Sequence, residues 1–472
     1  MKKALRTMGM IAILLGSAIP TWSAPVAADA EFAGGDGSQD DPYQIADWYH
    51  LDNVRGHLSY HFLLLSDLDS GSNGYAELAG PAAHAGSGWE PIGTQASPFT
   101  GSLEGQTRQV ADIVVDRPGE DFVGLFGCVG AAGTVTGTGV ANAQVSGRHY
   151  VGVLVGYNLG TVLGSYAGTG GTGVVGSEHV GCLIGVNEGS VSHCHAIGEV
   201  HGDSWVGGFM GWDEGMVSDS WAHCDVSGTL CVGGFVGEIN NGTVTNSYAA
   251  GTVTAITAFY VGGFVGLNNG TVSNCCATGS ATGLEQVGGL AGYNLGSIDT
   301  CFSTGSVSGT SDSGGLVGHT NDGTVTNSFW DTQTSGLLAS DGGTGKTSGE
   351  MQEIATYRDQ GTTGLTWPWN ILAVAEGATL PYATWNIVDG QDYPFLTFGS
   401  VEVDVKAGWN MLSVPGGLAD SANTVADVFG NQIVAIYSWD PVAKSYNVPT
   451  ALEPYQGYWV AVTEDKTLIL RI

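Results

Sequence analysis

Seven near-copies of one segment run between Val151 and Trp330, and this repetition constrains the fold more than any other feature of the chain. Val232–Ala249 reads V-G-G-F-V-G-E-I-N-N-G-T-V-T-N-S-Y-A, and Val261–Ala277 reads V-G-G-F-V-G-L-N-N-G-T-V-S-N-C-C-A. The copies start at Val151, Val180, Val206, Val232, Val261, Val287 and Ser313, in steps of 29, 26, 26, 29, 26 and 26 residues, with a degenerate forerunner at Val123. A fixed period of this size marks an array of stacked units. Each unit holds three short strand-like segments (V-G-x-F/L-V-G, G-T-V-x-N-S-Y-A and G-x-V-x-G) punctuated by Gly and Asn, and none carries a 3.6-residue pattern. Three strands of about five residues with their turns use roughly 26 residues, so one unit makes one coil. The prediction is all-β: a three-sided parallel β-helix, or solenoid, with capping segments and a small C-terminal β-domain. Coils pairing ~4.8 Å apart make eight of them a rod on the order of 40 Å long.

Columns of equivalent residues give the stacking register. Two residues before the Gly of the second segment stand Asn158, Asn187, Asp213, Asn240, Asn268, Asn294 and Asn321. Asn tolerates left-handed backbone, and stacked amides bond from coil to coil, so this column reads as a structural ladder. The functional alternative is a calcium-binding edge, because Asp213 is charged and Glu188, Glu214 and Asp322 sit beside it. A second column, Leu154, Leu183, Phe209, Phe235, Phe264, Leu290 and Leu316, reads as core. A third is small: Ser165, Cys194, Ser220, Ser247, Cys275, Cys301 and Ser328. A fourth follows it directly: Tyr166, His195, Trp221, Tyr248, Cys276, Phe302 and Phe329. Strict alternation cannot bury both. The expectation is that Asn246, Asn274, Asn327 and their equivalents turn a corner and that the small column faces inward.

These segments resemble the GLUG motif, a repeat of secreted and surface-attached bacterial proteins, through V-G-G-F/L-V-G, the turn Asn, G-T-V-x-N and the following tail. Phe32–Ile45, Trp89–Gly105 and Phe329–Thr332 (F-W-D-T) resemble the usual opening, first coil and exit of such proteins. The resemblance implies a parallel β-solenoid outside the cell. Some large surface peptidases carry the motif, but the motif itself brings no activity.

The N-terminus fits that compartment. Lys2, Lys3 and Arg6 precede an apolar run from Met8 to Ile19 and small residues to Ala30, the pattern of a secretory signal peptide cleaved between about residues 23 and 30. The run is shorter than the ~20 residues needed to span a bilayer, and no second apolar run is long enough, so no integral span is expected after removal of the leader. Losing those three cations takes the formal charge from −32 to −35. Such acidity excludes nucleic acid and anionic membranes as natural partners and suits a salty habitat. Cysteine usage shows no disulfide framework. Cys194, Cys275 and Cys301 fall in the small column and Cys128, Cys182 and Cys231 near the first strand, which reads as small buried residues. The neighbouring coils of Cys275 and Cys301 leave a disulfide conceivable.

Solenoid ends need caps. After the leader (1–30), residues 31–120 read as an N-terminal cap with irregular coils, including a short helix within Pro42–His61 and a strand at Phe62–Leu68. Residues 121–330 are the repeats. Residues 331–400 close the far end, with a capping box at Thr347 and Glu350 opening a short helix to about Tyr357, and a last strand at Tyr393–Leu396. Residues 401–472 lack the repeat, and strands are expected at Val401–Val405, Met411–Val414, Ile433–Trp439 and Gly457–Val462. The pattern resembles small C-terminal modules of other secreted bacterial proteins. Trp409, Trp439, Tyr458 and Trp459, with Tyr455, are candidates to stack on sugar rings, against the plainer reading that they are core.

Catalytic motifs fail on inspection. Ser340–Thr347 (S-D-G-G-T-G-K-T) lacks the first Gly and the strand-then-helix context of a P-loop. No His begins H-E-x-x-H. Alternation points consecutive His193, Cys194 and His195 apart, leaving a weak metal site with Asp219. A polysaccharide lyase needs cations to hold a uronate, and no Lys or Arg lies between Arg148 and Lys346. A glycoside hydrolase needs two carboxylates. Glu188 and Glu214, with Asp213, form the candidate cluster on adjacent coils, at an exposed turn with no sign of a cleft. The sequence therefore reads as a secreted or cell-surface scaffold for adhesion or polymer binding, with polysaccharide or another surface polymer as partner. The alternative is a polysaccharide-active enzyme on a solenoid face. No cofactor is expected, calcium being the one candidate. Oligomeric state is not legible.

Overall fold

The computed structural model describes residues 31–374 and 384–396 in full. It describes the backbone of strands Ser400–Val405, Gly408–Ser413, Ala435–Asp440, Ser445–Asn447, Gly457–Val462 and Lys466–Arg471. The expected leader lies outside the described residues. The repeats form a parallel β-solenoid of about eight turns.

Each coil follows the three-segment plan, but the first two segments are kinked, so the regular coil holds four short strands. In one coil these are Ser204–Gly207, Met210–Asp213, Met216–Ser218 and Trp221–Ser227. The first kink turns Phe209 inward; the second falls at Asp219, at φ 51°. Parallel pairing joins each strand to its counterpart one coil on, Val206 to Val232 and Trp221 to Tyr248. The two 29-residue steps keep this register by bulging. Between Gly168–Ile197 and Val174–Val200 one strand spends six residues against three. Between Ala255–Gly283 and Phe259–Glu285 it spends four against two, and between Asn240–Asn269 and Thr243–Thr271 three against two.

The core is a set of inward columns. Leu154, Leu183, Phe209, Phe235, Phe264, Leu290 and Leu316 are all fully buried, as expected. Phe209, Phe235 and Phe264 stack face to face at 4.5 and 4.8 Å. Burying each such side chain contributes about 1.5–3 kcal/mol. The small column also faces inward, because the residue before it takes left-handed angles at His193, Asp219, Asn246, Asn274, Thr300 and Asn327. This corner rotates the backbone, and the side chain of the next coil takes over as acceptor. Cys194 N donates to Ser220 Oγ at 3.1 Å, Ser220 N to Ser247 Oγ at 3.3 Å and Cys301 N to Ser328 Oγ at 3.0 Å. The column therefore needs a small side chain with an acceptor atom. Cysteine fills the role: Cys275 and Cys301 each send Sγ–H to the carbonyl two residues back, at 3.2 and 3.1 Å. All eight cysteines are buried and free, so the conceivable Cys275–Cys301 disulfide is not formed.

The amide ladder needs correction in two coils. Asn187 pairs with Asp213, but Asp213 pairs with Ile239 and Asn294 with Thr320, so Asn240 and Asn321 stand outside the column. The cause is the extra corner residue in I-N-N-G and T-N-D-G, which moves the Gly-based count one place. Elsewhere the ladder holds: Asn158 Nδ2 donates to Asn187 Oδ1, Asn187 Nδ2 to Asp213 Oδ1 and Asn268 Nδ2 to Asn294 Oδ1, each at 2.8 Å.

At the N-terminal end, helix Trp48–Asn53 follows strand Tyr43–Ile45, which pairs with His61–Leu64. At the other end Thr347 and Glu350 make the expected capping box, but the helix stops at Met351 and a second short one runs Ala355–Arg358. Phe395–Leu396 pairs antiparallel with Trp385–Ile387. Residues 348–374 and 384–396 pack along the side of the last coils, where Tyr357, Trp369 and Trp385 form one apolar cluster with Cys276, Phe302 and Phe329. Asp331 of F-W-D-T anchors the exit, accepting from Gln333 N at 2.8 Å and from Tyr393 Oη at 2.6 Å. In the C-terminal region Gly408–Ser413, Ala435–Asp440, Ser445–Asn447 and Gly457–Val462 form one antiparallel sheet, and Ser400–Val405 pairs with Lys466–Arg471.

Candidate functional site

The three candidate carboxylates share a corner but not an environment. Asp213 is fully buried in the ladder, where Oδ1 accepts from Asn187 Nδ2 at 2.8 Å and from Gly215 N at 3.2 Å. Its Oδ2 finds no partner, because the next coil offers Ile239. Burial pushes this carboxyl up to about 7. Glu188 and Glu214 stand outside, on adjacent coils, and both are engaged. Glu188 accepts from the Tyr157 hydroxyl. Glu214 accepts from Trp212 Nε1 at 3.2 Å and from Asn240 Nδ2 at 2.7 Å. The arrangement ties carboxylates to ring edges and amides, and Asp213 faces away from the surface pair.

Sequence reasoning missed the ring column beside them. Phe122, Tyr150, His179 and Trp205 stack at 4.7, 5.1 and 4.7 Å. Tyr157 stands edge-on to Tyr150, and Trp212 to Trp205. Trp205 Nε1 donates to Glu238 Oε2 at 2.6 Å, and burial pushes the Glu238 carboxyl up. The signal was available, since the residue before the first Val of four successive coils, at Val123, Val151, Val180 and Val206, forms this column. It lay in a position where every ring residue takes positive φ, which composition does not suggest.

The His193–His195 run splits as alternation requires. Cys194 is buried, His193 is exposed at the corner and His195 stacks between Tyr166 and Trp221 at 5.0 and 4.5 Å. Among the described residues no three His, Cys, Asp or Glu side chains converge to hold a metal ion. Ser340–Asp341 lies in a loop over the last coil and Thr344–Lys346 is a strand, so the S-D-G-G-T-G-K-T run has no P-loop geometry.

A groove of about 480 Å³ near the N-terminal end is lined by Gln39, Pro42, His61, Ser102, Glu104 and Thr134. In it His61 Nδ1 lies 2.7 Å from Ser102 Oγ. His201 and Ser227 repeat this contact at 2.7 Å on the open face, so it is a neighbour contact between coils. Of the C-terminal aromatics, Trp409 pairs in register with Ala461, Trp439 with Tyr446, Tyr458 with Leu412 and Trp459 with Met411. Their side chains lie outside the described features.

Coil-to-coil register, inward apolar columns and an amide ladder define a parallel β-solenoid. The GLUG motif family matches residues 228–254 and 283–308. The chain is 35% identical over 136 residues to a provisionally named Gly-rich membrane protein of Evansella cellulosilytica, covering 28% of this chain and 15% of that protein. It is 33% identical over 132 residues to halomucin of Haloquadratum walsbyi, covering 27% of this chain and 1% of that protein. The chain thus spans a small part of either relative. A crystal structure of a protein provisionally assigned as an immunoglobulin A1 protease from Bacteroides ovatus is similar at TM-score 0.42 and 20% identity, over 68% of this chain and 89% of that one. That likeness is too weak to bear on function. Among the described residues no helix is long and apolar enough to cross a membrane.

Proposed function

We propose that the chain is a secreted or cell-surface scaffold that presents a long repetitive face for adhesion or polymer binding. The observation that carries this reading is the use of the surface carboxylates. Glu188, Glu214 and Glu238 hold Tyr157, Trp212 and Trp205 in place, and each is committed to a ring edge. Relatives named a membrane protein and halomucin fit an envelope-associated role. The expected signal peptide belongs to the same proposal, as does sugar binding by Trp409, Trp439, Tyr458 and Trp459. The competing reading is a glycoside hydrolase using Glu188 and Glu214. A screen of neutral and acidic polysaccharides against the wild-type, Glu188→Gln and Glu214→Gln proteins separates them. The scaffold reading expects no turnover by any of the three. Turnover by the wild type that either variant abolishes refutes it.

A further inference from the structure

We propose that Tyr157 and Trp212, two coils apart beside the stacked ring column, are platforms on which an extended neutral β-1,4-linked glycan lies. This rests on the scaffold reading and names the polymer and its place on the rod. The two rings belong to one outward column, in which Tyr157 pairs with Val186, Val186 with Trp212 and Trp212 with Glu238. Both rings are half-buried, and Val186 between them is buried. The chain's own cover, residues 348–374 and 384–396, packs against a different column, the one ending in Phe302 and Phe329.

The stacked rings fix which way the platforms face. Tyr150 has Phe122 on one face and His179 on the other, at 19° and 17°. Tyr157 stands at 70° to Phe122 and 85° to Tyr150, with centroids 5.9 and 5.8 Å away. Trp212 likewise stands at 68° to His179 and 76° to Trp205, at 5.5 and 5.8 Å. A ring perpendicular to two stacked neighbours at such distances receives both rims on one face, the favoured T-shaped contact, because rings meeting edge to edge sit further apart. Tyr157 and Trp212 therefore lie flat along the stack and turn their other face outward. Hydrogen bonds lock them there: the Tyr157 hydroxyl donates to Glu188 Oε1, and Trp212 Nε1 donates to Glu214 Oε1 at 3.2 Å. Rings fixed before binding lose little freedom on binding.

The spacing selects the ligand. Two in-register coil steps set the platforms ~9.6 Å apart along the rod. An extended β-1,4-linked chain presents the same ring face at every second residue, a repeat of similar length, so one chain along the axis meets both rings. A pyranose with equatorial hydroxyls offers axial C–H groups, whose partial positive charge suits the negative face of an aromatic ring. Its hydroxyls point sideways, toward the exposed Glu188 and Glu214. The bonds that hold the rings use Oε1 of each carboxylate, which leaves Oε2 to accept from hydroxyls. Charge selects against a polyuronate: the formal charge is −32, and no Lys or Arg lies between Arg148 and Lys346. Tyr293 continues the track three coils beyond Trp212, at 63° and 5.0 Å to Tyr260.

The test is isothermal titration of the full chain with cellohexaose, with released reducing sugar followed in the same samples. The expected result is saturable binding that Trp212→Ala and Tyr157→Ala each weaken roughly tenfold or more, as for central aromatic anchors. Trp212→Tyr keeps a ring and is expected to retain most of the affinity, which separates loss of the platform from loss of folding. Cellobiose, too short to span both rings, is expected to bind at least roughly tenfold more weakly. Ile256→Ser, on an exposed bulge, is expected to change nothing. Absence of binding, binding that survives both alanine variants, or equal binding of cellobiose overturns the proposal. So does a β-1,4-mannuronate hexamer that binds as tightly as cellohexaose, or a glucosamine hexamer that binds more tightly and is released by salt, which marks a cation site. Cleavage of cellohexaose sinks the scaffold reading but leaves the platforms standing if the alanine variants still lose binding. Absence of both binding and cleavage sinks the platforms and leaves the scaffold reading.

Discussion

Asp213→Asn should make the protein more stable at alkaline pH and leave it nearly unchanged at acid pH. Asp213 occupies a ladder position that is Asn in four other coils, and it is fully buried. An Asn there donates through Nδ2 to the next coil or to the carbonyl two residues on, as Asn158 does to Gly160 O at 3.4 Å. A carboxylate offers only acceptors, and its Oδ2 lies buried opposite Ile239 with nothing to receive. The folded-state value of about 7 lies above the ordinary 3.8, so the native chain keeps a proton that the unfolded chain has released. Stability from this group is therefore fully present below about pH 4, falls as pH rises through 7 and then levels off. That displacement corresponds to about 4 kcal/mol at alkaline pH, an upper bound because the ladder relaxes around the charge. The assay is thermal melting of both proteins at pH 5 and pH 8.5, with amide exchange at Gly215 as a local readout, since a solenoid need not unfold in one step. The variant should melt several degrees higher at pH 8.5 and higher by less than half that margin at pH 5, where roughly 1–2 kcal/mol of the penalty already applies. Equal melting at pH 8.5, or a variant less stable there than the wild type, refutes the reasoning. Other carboxylates titrate in both proteins and cancel in the difference.

Three further outcomes follow from the same contacts. Ser220→Ala leaves Cys194 N–H without its 3.1 Å acceptor and should cost about 1–3 kcal/mol in urea unfolding, whereas Ser220→Cys should cost much less. Gly262→Ala sets a methyl 2.0 Å from Val265 O and 2.6 Å from Leu290 O, both backbone, so soluble yield at 37 °C should collapse. Trp385→Ala removes a fully buried indole between the cover and Phe302 and should cost about 3–5 kcal/mol, read as faster proteolysis of residues 348–396 before the coils are cut.

The coil was legible because repetition substitutes for an alignment: seven copies show which positions hold their character. The inward Leu/Phe column and the corner before the small column followed directly. The ladder was misread in two coils because the count ran from Gly, and one extra residue at Asn240–Gly242 displaces Gly without disturbing Ile239. Helix length was overestimated at Thr347–Tyr357 because the capping box specifies a start and says nothing about where tertiary contacts end it. Of the candidate site, the positions of Glu188 and Glu214 were legible and their partners were not. Tyr157 and Asn240 lie 31 and 26 residues from the carboxylates they hold, and only stacking brings them together.

The sequence by itself determined the architecture, the period and the absence of cations from the repeat face, because each depends on residue identity at a fixed spacing. Tertiary structure decided which carboxylate is buried, which thiols act as serine substitutes and where the ring column is covered. Those outcomes depend on the residue one coil away. Ile239 opposite Asp213 and Trp385 against Phe302 are pairings that local pattern does not contain.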